Sequence, residues 1–322
     1  MALALLGAAT ACTAQAQGDG PGPIAIHGNI TTFEIAPVLL AADQYYPDAA
    51  TVEMGGIANL VGEPAIAGFG TDGVADLATH AETQALRYSV RHPDLRIILT
   101  VTEGHYRIVA RRSAGIATLA DLKGKRIATV PPTSAGYFLN VMLARAGLTP
   151  ADVQTVPVTP LGDMPKALVE GRLDAVVIWE PYSENAARAL GADAILFDGT
   201  DIYRERFNLN STADRLADPA ERRKIVTFVR AVIDAAAALR ENPARAQALV
   251  AKTGGFTPEE VTQAWPHHGF IAAMPADLLD ILVTEEIWLA GDEKRAPRDR
   301  ATLARLIDTS IYEEAMAMAA PR

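Results

Sequence analysis

The chain has 322 residues, of which 49% are apolar and 21% are charged. This composition is typical of a folded protein with a large core, and it excludes disorder, collagen and a coiled coil. The formal net charge of −10 disfavours broad binding to nucleic acid or to an anionic membrane surface, but it is compatible with one small positive pocket.

The N-terminal segment is the first informative feature. An apolar run ends just before Cys12, the single cysteine of the chain, and it is too short to span a membrane. Residues 9–12 (Ala-Thr-Ala-Cys) resemble a bacterial lipobox, whereas residues 14–16 (Ala-Gln-Ala) alternatively fit a signal-peptidase site. We therefore expect residues 1–23 to be a signal or lipoprotein segment with a tether, and the protein to be exported and anchored by lipid at Cys12.

The next hundred residues alternate strand-like and helix-like segments. The apolar and β-branched patterns predict strands over residues 24–26, 64–70, 95–102 and 107–110, with helices over residues 31–45 and 73–88.

The alternation becomes more regular from Thr118 to Leu190. We predict strands over residues 126–130, 154–158 and 175–178, and helices over residues 134–146, 163–170 and 181–190. This spacing is typical of βαβ units and a mostly parallel sheet. Beyond Asp214 the pattern is helical, and apolar residues from Ile225 to Ile233 lie at helical spacing on one face.

Residues 118–182 carry a series of motifs in a specific order. The motifs are Leu-Ala-Asp-Leu-Lys-Gly-Lys at 119–125, Thr-Ser-Ala at 133–135, Ala-Gly-Leu at 146–148, Glu-Gly-Arg-Leu-Asp-Ala at 170–175 and Trp-Glu-Pro-Tyr at 179–182. In this order they resemble the periplasmic substrate-binding proteins of nitrate/sulfonate/taurine-type ABC importers.

The resemblance implies an α/β fold of the two-lobed periplasmic binding protein type (type II). Each lobe would be a mostly parallel sheet flanked by helices, and a two-stranded hinge would join the lobes. Lobe 1 would combine residues 24–106 with 202–322, and lobe 2 would comprise residues 107–201. Such lobes close around a ligand, and the transporter recognises the closed state.

Three loop-to-helix junctions are candidates for anion binding. Free N–H groups at a helix start and nearby hydroxyl groups can bind an anion without a basic side chain. Each junction could equally be an ordinary helix cap. The candidate residues are Thr31, Thr32 and Phe33, then Thr71 and Asp72, then Thr133, Ser134 and Ala135.

Four further residues are candidate ligand contacts. Trp179 could form an aromatic wall, and Glu180 could accept a hydrogen bond from a ligand ammonium, or both could serve packing and helix initiation. Arg107 lies at the expected first hinge crossing and could clamp a carboxylate or sulfonate, or could be a solvated strand residue. Asn208 lies at the expected return crossing and could contact ligand or serve the turn.

We therefore expect a solute-binding component of an ABC importer that captures a small organic anion or zwitterion, sulfonate- or taurine-like. It would be a non-catalytic monomer in the periplasm, with no metal, no cofactor and an ABC permease as partner. One alternative is a receptor of this fold for an aromatic acid or a pyrimidine or other heteroaromatic precursor. An enzyme resembling thiamine-pyrimidine synthases is disfavoured, because the cysteine-rich run of those enzymes is absent.

Overall fold

A computed structural model of the chain describes residues 20–64 and 73–318. Eleven strands lie in this part of the chain. In chain order they are β1 (Ile24–Gly28), β2 (Ala50–Met54), β3 (Leu77–Ala81), β4 (Leu95–His105), β5 (Arg107–Arg111), β6 (Arg126–Ala128), β7 (Gln154–Val156), β8 (Ala175–Val177), β9 (Ala194–Asp198), β10 (Arg204–Thr212) and β11 (His268–Gly269).

The same described residues form α-helices that flank the strands. They are α1 (Ala36–Leu40), α2 (Ile57–Val61), α3 (Glu82–Ser89), α4 (Ser134–Arg145), α5 (Met164–Val169), α6 (Tyr182–Leu190), α7 (Ala213–Ala217), α8 (Pro219–Glu241), α9 (Ala244–Gly254), α10 (Pro258–Ala264), α11 (Leu278–Asp292), α12 (Arg300–Ala304) and α13 (Ser310–Ala317). In this part of the chain no helix combines the length and the apolar character needed to cross a membrane.

The strands form two mixed sheets. The first has the order β11-β4-β10-β3-β1-β2, and the second has the order β7-β6-β8-β5-β9. In the first sheet β1 pairs in parallel with β2 and β3, and in the second sheet β6 pairs in parallel with β7 and β8, as expected for βαβ units. The predicted α/β fold with two helix-flanked sheets is confirmed. The sheets were expected to be mostly parallel and are instead mixed, because β4, β5, β9, β10 and β11 pair with their neighbours in antiparallel.

The chain passes between the sheets twice. Tyr106 separates β4 of the first sheet from β5 of the second, and residues 199–203 lead from β9 back to β10. Two chain segments therefore connect the sheets. The predicted lobes, 24–106 with 202–322 and 107–201, stay a prediction about units that move.

Separate apolar cores lie under the two sheets. Ile26 and Leu99 of the first sheet pack with the apolar face of α8, which includes Ile225 and Val232. Under the second sheet, Val176 packs with side chains of α4 such as Phe138. Burying such side chains stabilises each half by roughly 1.5–3 kcal/mol per residue, so each half has a core of its own.

Several predicted helix boundaries are confirmed. Helix α4 begins at Ser134, and Gly147 follows its end with φ +70°, a backbone conformation that glycine adopts without strain. The backbone N–H of Thr118 donates to the Asp121 carboxylate at 2.7 Å as part of a capping box.

Two predicted helices are wrong in their first halves. The helix predicted from Thr31 begins at Ala36, because the Thr31 N–H and hydroxyl both donate to the Asn29 side chain and hold a turn there. The helix predicted from Gly73 begins at Glu82, since residues 77–81 form β3 between β1 and β10. Sheet pairing here overrides a local sequence that also suits a helix.

A buried carboxylate fastens the end of α11 to the segment that follows it. Both carboxylate oxygens of Glu286 accept hydrogen bonds from the Arg295 and Arg298 guanidinium groups, and the Arg298 backbone N–H adds another at 2.8 Å. Burial alone would raise the pKa of Glu286, but the Arg298 and Arg295 hydrogen bonds outweigh it and lower the pKa to about 2.

We predict that Glu286→Gln lowers the free energy of unfolding by about 3 kcal/mol at pH 7. A lowered pKa gives stability that is present above the ordinary value of 4.5 and lost as the pH falls towards 2. Urea unfolding at pH 7 and pH 3 should show the gap to wild type narrowing at the lower pH. Glu170→Gln, which breaks an exposed pair with Arg172, is the control and should change stability by less than about 0.5 kcal/mol. A gap that stays constant with pH would contradict this assignment.

Candidate functional site between the two sheets

A cavity of about 70 Å³ lies where the two halves meet. Roughly 10–15 Å³ of such space holds one water molecule, so the cavity suits a small ligand. Its walls come from both halves of the molecule, the first half being built on the β1 sheet and the second half on the β6 sheet. The lining residues are Asn29, Thr32, Glu34, Gly56, Ala58, His80, Ala81, Gln84, Tyr88, Glu205 and Phe207 from the first half, and Val130, Pro132, Thr133, Ser134 and Trp179 from the second.

The topology explains why these residues meet. Asn29 follows β1, Gly56 follows β2, Ser134 follows β6 and Trp179 follows β8. β1 runs parallel to β2, and β6 runs parallel to β8, so the carboxyl ends of these strands open at one edge of each sheet, the usual place for ligands in α/β proteins. The cavity therefore lies at the crevice that the fold provides.

A carboxyl group of the first half contacts hydroxyl groups at the second half. The Ser134 hydroxyl donates to Oε2 of Glu205 at 2.7 Å, and the Tyr106 hydroxyl donates to the same oxygen at 2.5 Å. The two hydroxyl oxygens are themselves 2.9 Å apart. Glu205 belongs to β10, Tyr106 to the crossing and Ser134 to the start of α4, so this triad joins the two sheets beside the cavity.

The triad is buried and uncharged in character. Burial raises the pKa of Glu205 well above its ordinary value, and the nearby carboxylates of Glu34 and Glu82 raise it further. Burial likewise raises the pKa of Tyr106, so its hydroxyl stays protonated. A neutral Glu205 keeps its hydrogen bonds to the two hydroxyl groups without the cost of a buried charge.

The rest of the cavity wall is largely apolar and aromatic. Tyr88, Trp179 and Phe207 contribute rings, and burial lowers the pKa of His80 to about 4, so its imidazole is neutral at pH 7. Nδ1 of His80 accepts a hydrogen bond at 3.4 Å from the backbone N–H of Ile57, the first residue of α2. Among the lining residues in the described part of the chain there is no lysine or arginine.

Four of the predicted site residues line this cavity: Thr32, Thr133, Ser134 and Trp179. The Thr133 hydroxyl also accepts from the Ala135 N–H at 3.3 Å, so Thr133 caps α4 as well. Ser134 lies on the cavity wall with its hydroxyl directed to Glu205.

Three neighbours of these residues have structural contacts. Thr31 hydrogen-bonds Asn29 and the Tyr182 side chain. Phe33 is fully buried and packs edge-on to Phe256, and Ala135 is fully buried in the core of the second half.

Arg107, Glu180 and Asn208 are buried and are not among the lining residues. The Arg107 guanidinium contacts Glu180 at 2.8 Å and Glu184 at 2.7 Å, so it clamps carboxylates of the protein itself. Glu180 also accepts from the Glu184 N–H and so holds the start of α6. Asn208 accepts a hydrogen bond from Thr100 on the adjacent strand at 2.7 Å.

The remaining candidates, Thr71, Asp72 and the lipidation candidate Cys12, lie outside the described residues.

The polar cavity residues that sequence reasoning missed include Glu34, Gln84 and Glu205. Period-two spacing places Glu205 on the same face of its strand as Phe207 and Leu209, and a glutamate on an apolar face was the available signal. Glu34 likewise stands between apolar residues. Gln84 offered no signal, because the helix predicted over residues 73–88 placed it in the helix interior, whereas α3 begins at Glu82 and Gln84 lies in its first turn.

The chain belongs to the NMT1/THI5-like family, whose model matches residues 33–246. A curated relative from Escherichia coli (strain K12), named "Putative aliphatic sulfonates-binding protein", is 34% identical over 166 residues, which cover 50% of this chain and 49% of the relative. The chain thus spans about half the length of the curated relatives it matches.

Solved structures show the same fold. The alkanesulfonate-binding protein SsuA from Xanthomonas axonopodis pv. citri, bound to MOPS, superposes with a TM-score of 0.66 at 20% identity, over 89% of this chain and 98% of that one. The periplasmic nitrate-binding protein NrtA from Synechocystis PCC 6803 gives a TM-score of 0.68 at 14% identity, over 91% of this chain and 88% of that one. At these identities the likeness establishes the fold.

We predict that Glu205→Gln becomes more stable relative to wild type as the pH rises from 5 to 8. A glutamate with a raised pKa gives stability that is present below about pH 4.5 and lost as the pH rises towards its folded value, and glutamine has no proton to lose. Thermal unfolding across this range measures the difference. The melting temperature of the control Glu170→Gln should change with pH as that of wild type does. If the melting temperature of Glu205→Gln also changed with pH as that of wild type does, a neutral Glu205 would be contradicted.

Proposed function

We propose that this protein is the solute-binding component of an ABC importer and captures a small organic anion or zwitterion, sulfonate- or taurine-like, between its two halves. The observation that carries the proposal is the small cavity walled by both sheets, with the start of the 12-residue helix α4 at its edge. Helix N-termini favour anionic groups. The names of the related proteins, which bind sulfonates and nitrate, support the same class.

The mechanism we propose is closure about the two crossings. The open halves would admit the solute, and polar groups from both halves would then hold it without changing it chemically. Contacts that reach across the cavity, such as the 2.5 Å hydrogen bond from Gln84 to the Pro132 carbonyl, would form on closure. A membrane permease would then recognise the closed form in the periplasm, with the protein acting as a monomer and a lipid on Cys12 as a tether.

A thermal-shift screen tests the proposal. At a free concentration 100-fold above its Kd, a bound solute adds about 2.7 kcal/mol of stability, so the Tm should rise by several degrees. The screen should include taurine, ethanesulfonate, nitrate and benzoate. If no small anion or zwitterion raises the Tm, the proposal is contradicted.

Blocking the cavity should abolish that response. Ala58 is buried on α2 and lines the cavity, so Ala58→Phe would place a ring in the space for the solute. We expect the solute-dependent rise in Tm to disappear in this variant and to persist in Ala248→Phe, where the alanine is exposed. A full response in a folded Ala58→Phe protein would place the solute elsewhere.

A further inference from the structure

Two residues that line the cavity each carry a buried hydrogen-bond acceptor without a partner. Glu34 and Gln84 line it, and each residue is only 2% exposed. Within the described residues, Oε2 of Glu34 and Oε1 of Gln84 make no hydrogen bond. Buried polar atoms of folded proteins are nearly always paired, so these two oxygens mark where a ligand supplies hydrogen-bond donors.

The orientation of the Gln84 amide follows from its neighbour. The Gln84 amide nitrogen donates to the backbone carbonyl of Pro132 at 2.5 Å. A carbonyl oxygen can only accept, so the nitrogen must lie on that side. The unpaired atom is therefore the amide oxygen, an acceptor.

The backbone carbonyl and Oε1 of Glu34 both contact neighbouring side chains. Its backbone carbonyl accepts from the Thr102 hydroxyl at 2.8 Å, and its Oε1 lies 3.5 Å from Nε2 of His268. Burial tends to lower the pKa of His268, but the neighbouring Glu34 outweighs burial and raises the pKa, so the imidazole of His268 pairs with the Glu34 side chain. This arrangement orients the side chain and leaves Oε2 unpaired.

The cavity also holds a donor, because a neutral His80 whose Nδ1 accepts from the Ile57 N–H carries its proton on Nε2, and such a donor suits the anionic end of a ligand. Ser134 and Tyr106 already donate to Glu205, and no lysine or arginine is among the described residues that line the cavity. A ligand with acceptors alone would leave the oxygens of Glu34 and Gln84 unpaired.

We infer that the ligand carries a protonated amino group, which donates to Oε2 of Glu34 and Oε1 of Gln84. This inference rests on the proposed function and narrows it to aminated solutes, because a simple anion such as nitrate or an alkanesulfonate brings no donor to these acceptors. Glu34 and Gln84 thus determine the specificity of the cavity.

Matched ligands test the inference by calorimetry. Taurine, isethionate and ethanesulfonate share one sulfonate and end in an ammonium, a hydroxyl and a methyl group. We expect taurine to bind at least about 100-fold more tightly than ethanesulfonate, with isethionate between them, because a site built to hydrogen-bond a group rejects an analogue that lacks it. The pair β-alanine and propionate repeats the comparison on a carboxylate.

The outcomes separate this inference from the proposed function. If ethanesulfonate, propionate or nitrate binds as tightly as the aminated compounds, the inference is overturned and the proposed function stands. If neither member of either pair binds, the inference is also overturned, and the wider screen decides the proposed function.

Variants test the two residues directly. Glu34→Gln should reduce the ratio of taurine to ethanesulfonate affinity at least tenfold, and Gln84→Met, which removes one acceptor at similar length, should reduce it too. Glu286→Gln, which removes a buried glutamate charge outside the cavity, should leave the ratio unchanged. An unchanged ratio in both folded cavity variants would overturn the inference, and Gln84→Met alone decides the matter if Glu34→Gln fails to fold.

Discussion

The hydrogen bonds from Tyr106 and Ser134 to the buried carboxyl of Glu205 are the contacts on which the arrangement at the cavity depends. They tie β10 of the first sheet to the crossing and to the first turn of α4. Burial, and after it the neighbouring Glu34 and Glu82, raise the pKa of Glu205 well above its ordinary value, which favours the neutral carboxyl and avoids the cost of a buried charge. The position of α4 relative to the first sheet follows from this contact.

The polarity of the cavity then follows from which groups are already paired. The hydroxyl groups of Ser134 and Tyr106 donate to Glu205, whereas Oε2 of Glu34 and Oε1 of Gln84 have no partner within the described residues. An expectation based on helix N-termini alone would favour any small anion. The side chains add a requirement for a donor, and a zwitterion can meet both demands, with its anionic group towards α4 and its ammonium towards Glu34.

The parts of the fold that local signals specify could be predicted from sequence. Helix α4, with hydroxyl residues before it and Gly147 after it, is one example, and strand β8 is another. Strand β3 could not be predicted, because pairing with β1 and β10 decides its conformation and that pairing is a long-range property.

The cavity residues likewise divide into those that sequence could predict and those that it could not. Ser134 and Trp179 were predicted because each follows a strand at the carboxyl edge of a sheet. Arg107 and Glu180 were equally plausible from their positions, but in the structure they contact each other. Sequence gives the edge on which a residue lies, and it does not give the partner that its side chain finds.

The most direct measurement is a crystal structure of the protein with taurine. The account predicts taurine between the two sheets, with its nitrogen about 3 Å from Oε2 of Glu34 and its sulfonate near the start of α4. A sulfonate against Glu34, or taurine bound outside the cavity, would contradict it.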